Sequence, residues 1–193
     1  MSDDPIALFA AWFRQAEDAG VDVPETMTLA TADAEGAPSA RMVLLKGADE
    51  DGFVFYTGYV SRKAGELGGN PRAALVFYWR PLGKQVRVEG RVERVSEGES
   101  AGYFATRPRA SQLAAWASQQ SKTLESREEL DRRYAELERQ YERRDVPLPP
   151  HWGGFRLRPD AIEFWYGQDD RLHDRLLYTR SPEGGWSSVR LFP

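Results

Sequence analysis

The middle of the chain, residues 26–95, is a succession of strand-like runs with little helix between them. The runs TMTLATAD, SARMVLLKG, GFVFYTG, RAALVFYW and KQVRVEGRVERV are rich in the β-branched and aromatic residues that favour strands. Turn-forming segments such as DAEGAP, ADEDG and RPLGK separate several of them. Because strands do not alternate regularly with helices, we expect a mostly β fold, an antiparallel barrel with helices packed outside.

Helices are predicted around and within this region. Their starts are marked by Asp4-Pro5, by Ser61, and by the capping boxes Ser96 with Glu99 and Ser126 with Glu129. After the proline-rich stretch RRDVPLPPHWGG, further strands are predicted at GFRLRP, AIEFWYG, RLLYTR and WSSVRLF. No repeat or second domain is evident, so we expect one domain over residues 1–193, with residues 1–26 as an N-terminal helix and lead-in.

Composition excludes several classes of function. The chain has 193 residues and a net charge of -4, which argues against a general nucleic-acid binder. It has no cysteine and two histidines, so thiolate chemistry is excluded and no metal site is expected. The N-terminus lacks the long apolar core of a signal peptide, and the longest apolar run, residues 73–79, is too short to span a membrane. We expect a cytoplasmic protein.

Basic residues in apolar or capping contexts are the first candidates for a binding site. In the predicted strand at residues 39–47, Arg41 shares a face with Val43 and Leu45, and Lys46 shares the other face with Met42 and Leu44. The stretch is apolar enough to be buried, and buried cations need partners. The alternative is that both cations reach solvent from the ends of a core strand.

Arg62 and Lys63 lie in the first turn of the helix that Ser61 caps. A helix N-terminus already carries partial positive charge, so cations there become favourable when an anion binds the free N–H groups. The sequence therefore predicts a phosphate site, with an exposed basic turn as the alternative. A second such group is Tyr103 with Arg107, four residues apart on one side of a predicted helix. Ser111, Gln120 and Ser121 follow in the same segment, where ordinary capping and surface polarity are the alternative.

Arg171, His173 and Arg175 occupy alternate positions in EFWYGQDDRLHDR. In an extended strand these three side chains would share one face. Such a row of basic groups is stabilised by an anionic or electron-rich partner, and a solvated edge strand is the alternative. Trp165, just before this row, could pack in the core or against a flat ring. Two separate phosphate-like sites suggest two phosphorylated ligands, at least one of them planar.

Seven stretches, in order, resemble the pyridoxamine 5'-phosphate oxidase family. They are RMVLLKG, FYTGYVSRKAGEL, NPRAALVFYW, QVRVEGRVERVS, YFATRPRASQLAAWASQQS, PPHWGGFRLRPDAIEFW and RLHDRLLYTR, and the resemblance runs from about Met27 to Pro193. RPRASQLAAWAS and RLHDR are its most specific motifs. The resemblance implies a split β-barrel that binds FMN at a homodimer interface.

The resemblance also implies which residues bind and react. FMN would be bound by Arg41, Met42, Val43, Leu44, Leu45, Lys46, Tyr56, Thr57, Arg62, Lys63, Gln85, Gln120, Ser121, Trp165 and Arg175. The substrate would be bound by Lys46, Tyr103, Arg107, Ser111, Arg171, Leu172 and His173, of which Arg171 and His173 form the catalytic pair over the substrate ring. We expect His173 to assist proton removal, the usual work of an imidazole near neutral pH.

The implied reaction oxidises pyridoxine or pyridoxamine 5'-phosphate to pyridoxal 5'-phosphate. A hydride leaves C4' for flavin N5, and O2 reoxidises the flavin to give H2O2. Two features depart from the family pattern: a short N-terminal arm, and Tyr166 where glutamine is common. The alternatives are a related FMN oxidase of another cyclic amine, of the phenazine type, and a non-catalytic flavin or pyridoxal-phosphate binder. A nucleic-acid module is the weakest of them.

Overall fold

The protein is described here by a computed structural model, in which residues 4–193 are placed. Nine antiparallel strands form one sheet. They are β1 (Thr26–Ala32), β2 (Pro38–Leu44), β3 (Gly47–Asp49), β4 (Gly52–Gly58), β5 (Arg72–Trp79), β6 (Lys84–Arg94), β7 (Trp152–Tyr166), β8 (Asp174–Arg180) and β9 (Trp186–Leu191). The strand order is β2-β1-β5-β6-β7-β4-β3, and β8 pairs with both β7 and β9.

The sheet curls until its two ends meet. Lys46 N, just after β2, donates a hydrogen bond of 2.8 Å to the carbonyl oxygen of Val54 on β4. Because β2 and β4 stand far apart in the strand order, this contact closes the sheet into a barrel-like shape. The predicted fold class, an antiparallel split β-barrel with helices outside, is confirmed. The single-domain interpretation stays a prediction.

Five α-helices pack around the sheet in the described part of the chain. They are α1 (Pro5–Asp18), α2 (Arg62–Gly69), α3 (Glu97–Thr106), α4 (Arg109–Ala117) and α5 (Arg127–Gln140). The predicted caps are confirmed: the side chains of Asp4, Ser61, Ser96 and Ser126 accept hydrogen bonds from the first-turn N–H groups of α1, α2, α3 and α5. No helix within residues 4–193 is long and apolar enough to cross a membrane.

The main core lies inside the barrel, under α1. Phe9 packs edge-on against Phe53 at 4.9 Å and against Phe77 at 5.0 Å between ring centroids. All three are at most 2% exposed, so truncating Phe9 to Ala would cost about 3–5 kcal/mol in cavity and transfer terms. A second cluster, which includes Phe104, Leu113 and Trp152, fixes α3 and α4 beside β7. The helical region is therefore held at one end of the long strand β7.

Two local predictions are wrong. The RLHDR segment is not a strand from its first arginine: a single 3-10 turn covers Asp169–Arg171, and β8 begins only at Asp174. Asp170 and Arg171 have φ of 55° and 63°, a left-handed conformation that no strand accommodates. Arg171 and His173 therefore do not share a strand face with Arg175.

The second wrong prediction concerns burial of the stretch at residues 39–47. Met42 is 60% exposed and Leu44 is 41% exposed. The reason is the position of β2 at one end of the strand order, where its outer face has no covering layer within residues 4–193. Apolar residues in a strand thus do not ensure burial within one copy of the chain.

Candidate functional site

A cavity of about 370 Å³ opens where β2 and β4 meet the helices α3 and α4. Three cationic side chains line it, Lys46, Lys63 and Arg107, and no acidic residue does. The other lining residues are Met42, Val43, Leu44, Tyr56, Thr57, Gly58, Tyr103, Ala114, Ala115, Ser118, Gln120 and Trp152. The cavity is therefore an anion-binding environment with an aromatic wall.

Lys63 is the buried cation of the cavity. Its residue is 6% exposed, and its Nζ donates to Thr57 Oγ1 at 3.1 Å. Thr57 Oγ1 in turn donates to Gln120 Oε1 at 2.8 Å, and Gly58 N donates to the same oxygen at 3.2 Å. Burial lowers the pKa of Lys63, repulsion by Arg41 adds to this, and attraction by Glu66 opposes it. Within residues 4–193 no carboxylate forms an ion pair with Lys63, so this ammonium still has donors for an anionic ligand.

Glu66 organises the arginines behind the cavity. Its carboxylate accepts from Arg41 Nη2 at 3.1 Å and from Arg62 Nε at 2.7 Å. Ser39 Oγ donates to it at 2.7 and 2.9 Å, and Thr31 Oγ1 donates as well. Burial alone would raise the pKa of Glu66, but these hydrogen bonds outweigh burial and lower it to about 2. Glu66 is thus a permanent anion that fixes two of the predicted cofactor arginines.

Arg107 and Tyr103 both lie on the aromatic wall. The prediction that one helix carries both is wrong, because α3 ends at Thr106 and Arg107 is its C-cap residue in an extended conformation. The Arg107 guanidinium lies 4.7 Å from the centroid of the Trp152 ring, and Tyr103 stacks on Tyr56 at 4.0 Å. Burial lowers the pKa of Arg107 and raises that of Tyr103. Arg107 Nη1 is buried and has no hydrogen-bond partner within residues 4–193. A buried donor of this kind is costly unless something accepts from it. The Arg107 residue also lines the cavity.

Sequence reasoning missed Trp152 and Glu66. Trp152 stacks on Tyr56 at 5.4 Å, and the two glycines after it make room for this wall. A Cβ on Gly154 would lie 2.6 Å from Val95 Cγ2 and 2.8 Å from Tyr56 Cε1, closer than real Cβ contacts. The glycine pair was therefore an available signal for Trp152. The available signal for Glu66 was its spacing of four residues from Arg62 on one helix.

A second group of predicted residues lies elsewhere, across β6, β7 and β8. Gln85, Trp165 and Arg175 are directly paired neighbours in these strands and form a row on one face of the sheet. The His173 ring lies 4.6 Å from the Trp165 ring. Arg175 Nε donates to Glu163 Oε1 at 2.8 Å, which raises the pKa of Arg175, and its Nη1 donates to the Phe192 carbonyl at 3.0 Å. We refer to Gln85, Trp165, His173 and Arg175, together with Arg171 and Leu172, as the strand row.

The strand row is remote from the cavity along the chain's own sheet. Thr57 in the cavity pairs with Gly153 near the start of β7, whereas Trp165 lies near its end. Twelve residues of extended strand have a contour length of roughly 40 Å. The predicted residues that do not line the cavity are Arg41, Leu45, Arg62, Gln85, Ser111, Ser121, Trp165, Arg171, Leu172, His173 and Arg175. One copy of the chain thus brings together about half of the predicted site.

The outer face of the sheet is open and carries exposed apolar side chains beside charged ones such as Arg87 and Glu163. Residues paired in neighbouring strands point to the same face, and an unbroken row of pairs runs from Met42 on β2 to Val189 on β9. On this face Met42, Leu44, Tyr78 and Val189 are all more than 40% exposed. Exposed apolar patches of this kind mark interaction surfaces.

Fold and cavity together define a split-barrel protein with a cationic site suited to a phosphorylated ligand. Two family models match the sequence: pyridoxamine 5'-phosphate oxidase over residues 13–141, and the pyridoxine 5'-phosphate oxidase C-terminal dimerisation region over residues 152–193. The chain belongs to the pyridoxamine 5'-phosphate oxidase family, as its motifs predicted.

Individual relatives support the same family. The chain is 63% identical over 191 residues to a pyridoxine/pyridoxamine 5'-phosphate oxidase of Rubrobacter xylanophilus, covering 98% of this chain and 87% of the relative. It is 58% identical to the enzyme of the same description from Paraburkholderia phymatum, covering 98% and 89%. Among solved structures, PhzG from Burkholderia lata, in complex with tetrahydrophenazine-1-carboxylic acid, has a TM-score of 0.95 at 34% identity, covering 100% of this chain and 94% of PhzG.

Proposed function

We propose that this protein is an FMN-dependent oxidase that converts pyridoxine 5'-phosphate or pyridoxamine 5'-phosphate to pyridoxal 5'-phosphate. O2 would accept the electrons and give H2O2, and the active form would be a homodimer. The observation that carries the proposal is the cavity that Lys46, Lys63 and Arg107 line together and that no acidic residue lines.

The charge of the cavity supports a phosphorylated substrate. Arginine and lysine side chains are the usual ligands of a phosphate group. Lys46 lies 3.7 Å from Glu25 Oε1, whereas Lys63 and Arg107 form no ion pair within residues 4–193. Tyr103, stacked in the wall beside Arg107, adds a hydroxyl. A substrate without a phosphate would give the cationic side chains of the cavity no anionic partner.

The residues present also fit FMN. Lys63, Thr57 and Gln120 would contact it directly, and Arg41 and Arg62, fixed by Glu66, would add positive charge for its phosphate. The exposed Met42 and Leu44 on β2 offer an apolar surface for its ring. When bound, FMN would supply the hydride acceptor of the reaction. The side chains of this chain would then bind, orient and shield the substrate.

A homodimer would complete the site. The strand row does not line the cavity of its own chain, yet it carries Gln85, Trp165 and Arg175 for FMN and Arg171 with His173 for the substrate. The outer face between Met42 and Val189, with its exposed apolar side chains, offers a surface for a second copy. The match of residues 152–193 to a region described as a dimerisation region supports this arrangement. In it, the strand row of one copy would face the cavity of the other.

The similarity to PhzG favours one alternative, oxidation of a phenazine-type cyclic amine. The higher identity to pyridoxine/pyridoxamine 5'-phosphate oxidases, 63% against 34%, favours the phosphorylated substrates. The cationic cavity does so as well.

The first experiment is anaerobic mixing of the FMN-loaded protein with each candidate substrate while flavin absorbance is followed. Bleaching by pyridoxine or pyridoxamine 5'-phosphate, reversed by air with pyridoxal 5'-phosphate as product, would support the proposal. Bleaching by a tetrahydrophenazine carboxylate alone would establish the alternative. Bound flavin with no bleaching by either would indicate a non-catalytic binder.

Arg107→Met tests the phosphate assignment. The loss of charged hydrogen bonds worth about 1.5–3 kcal/mol should raise KM for the phosphorylated substrate roughly 10- to 150-fold. KM for unphosphorylated pyridoxine should hardly change. Arg132→Met, an exposed arginine on α5, is the matched control. Equal effects of Arg107→Met on both substrates would contradict a phosphate contact.

A further inference from the structure

We propose that His173 is a hydrogen-bond donor to the substrate through Nε2–H, and that the main-chain N–H of Gln168 fixes this role. This inference rests on the proposed function and deepens it. It replaces the expectation that His173 removes a proton, and it makes Gln168 a positioning residue that acts through the histidine.

The hydrogen bond that carries the inference joins Gln168 N to His173 Nδ1 at 3.2 Å. A main-chain N–H can only donate, so Nδ1 must be the accepting, unprotonated nitrogen of the ring. In a neutral imidazole the other nitrogen then carries the proton. His173 therefore has Nε2–H available and has no free lone pair on either nitrogen.

The surrounding loop holds the ring in this orientation. Trp165 lies against the ring at 4.6 Å between centroids. Gly167 N donates to the Gly83 carbonyl at 2.8 Å, which fixes the start of the loop. The left-handed residues Asp170 and Arg171 then turn the chain back, so that His173 reaches the N–H of Gln168. A ring flip would exchange Nδ1 for a carbon atom and lose the hydrogen bond.

Nε2 is free for a ligand. Within residues 4–193 it has no hydrogen-bond partner, and the side chain is only half-buried. Both candidate substrates carry a phenolic oxygen next to the carbon that is oxidised, and such an oxygen accepts from an N–H donor. The hydride would leave C4' with its electron pair for FMN, and the proton of the alcohol or amine would pass to water. His173 would orient the ring and stabilise charge on its oxygen.

The tautomer can be read directly, because the chain has only two histidines. Histidine labelled with ¹⁵N in the FMN-loaded protein should give two ring systems, and His151→Gln would assign them. His151 lies outside the proposed machinery, and its Nε2 contacts the Ala115 carbonyl at 3.1 Å. For His173 we expect a pyridine-type Nδ1 and a pyrrole-type Nε2 near neutral pH. A protonated Nδ1, in either the other tautomer or the imidazolium, would overturn the proposal.

Two substitutions separate donor from base. Glutamine at position 173 keeps an N–H donor near the place of Nε2, whereas glutamate offers only acceptors. We expect His173→Gln to stay within about tenfold of the wild-type rate of flavin reduction, whereas loss of a base would cost about 10²–10⁴-fold. His173→Glu should lose about 100-fold or more, because it removes the donor to the substrate oxygen, and loss of such a donor costs about 10²–10³-fold. The reverse order would refute the donor role. FMN content and circular dichroism would confirm folding of both variants.

This design distinguishes failure of the inference from failure of the proposed function. The NMR measurement needs no turnover, so it reports the tautomer whichever substrate the wild type oxidises. If the wild type oxidises neither phosphorylated substrate, the proposed function fails while the tautomer assignment can still hold. If it oxidises them and Nδ1 carries the proton, only the inference fails.

Discussion

Mixing two impaired variants should restore activity if each site is built from two copies of the chain. One variant, Arg107→Met, disables the cavity, and the other, Arg171→Met, disables the strand row. Arg171 is exposed and forms no ion pair in the described part of the chain, so its replacement leaves the packing intact. In a dimer that contains one copy of each variant, one site carries both substitutions and the other site carries neither.

The expected recovery follows from symmetry. Random reassociation of equal amounts makes about half of the dimers mixed, and one of the two sites in each is intact, so about a quarter of wild-type activity should return. The assay is oxidation of pyridoxine 5'-phosphate, at a concentration well below the KM of Arg107→Met, after the two proteins are unfolded and refolded together. Each variant refolded alone gives the baseline.

A reciprocal mixture makes the experiment decisive. A chain carrying both substitutions, refolded with equal wild type, should leave about a quarter of wild-type activity if sites are shared between copies, but about half if each chain builds its own site. No recovery in the first mixture together with half activity in the second would refute the shared site. The same outcome would require the strand row to reach the cavity of its own chain, against the separation along β7.

Two further perturbations test the cation cluster. Lys63→Met should weaken FMN binding roughly 10- to 150-fold, because a charged hydrogen bond worth about 1.5–3 kcal/mol is lost. Fluorescence titration of the apoprotein with FMN measures this, and Lys122→Met, at an exposed site, is the control. The pKa of Glu66 in the folded protein is about 2, below its ordinary value of 4.5. Ionised Glu66 therefore stabilises the fold fully above pH 4.5, and this contribution is lost as the pH falls towards 2. Urea unfolding should therefore find wild type more stable than Glu66→Gln at pH 6, with a margin that shrinks between pH 4.5 and 2; a constant margin would refute the assignment.

The strands and helix caps could be predicted because their causes are local. The five predicted runs became β1, β2, β4, β5 and β6, whereas the short strand β3 overlaps a segment that was predicted as a turn. Ser61, Ser96 and Ser126 cap their helices, since a cap needs only a side-chain oxygen and the next N–H groups. Local pattern failed at RLHDR, where alternation indicated a strand but Asp170 and Arg171 adopt a left-handed turn.

The burial of a side chain and the copy of the chain that it contacts are tertiary properties. Predictions from the sequence failed where these properties were decisive. Met42 and Leu44 satisfy every sequence criterion of a buried strand, yet their face is open in one copy of the chain. The motifs that imply FMN contacts identify residues selected for an assembled site. They do not say which copy supplies each residue, and only the separation of the cavity from the strand row raises that question.

For His173, too, the sequence does not show the deciding contact, here the one that sets which ring nitrogen carries the proton. The side chain itself is visible in the sequence, and its residue type indicates proton transfer as readily as hydrogen bonding. The group that decides between them is the N–H of Gln168, 3.2 Å from Nδ1. Every residue except proline has such a donor, so it has no signature in the sequence. A histidine's chemical role thus depends on a backbone conformation, here set by two left-handed residues, that a motif can contain without revealing.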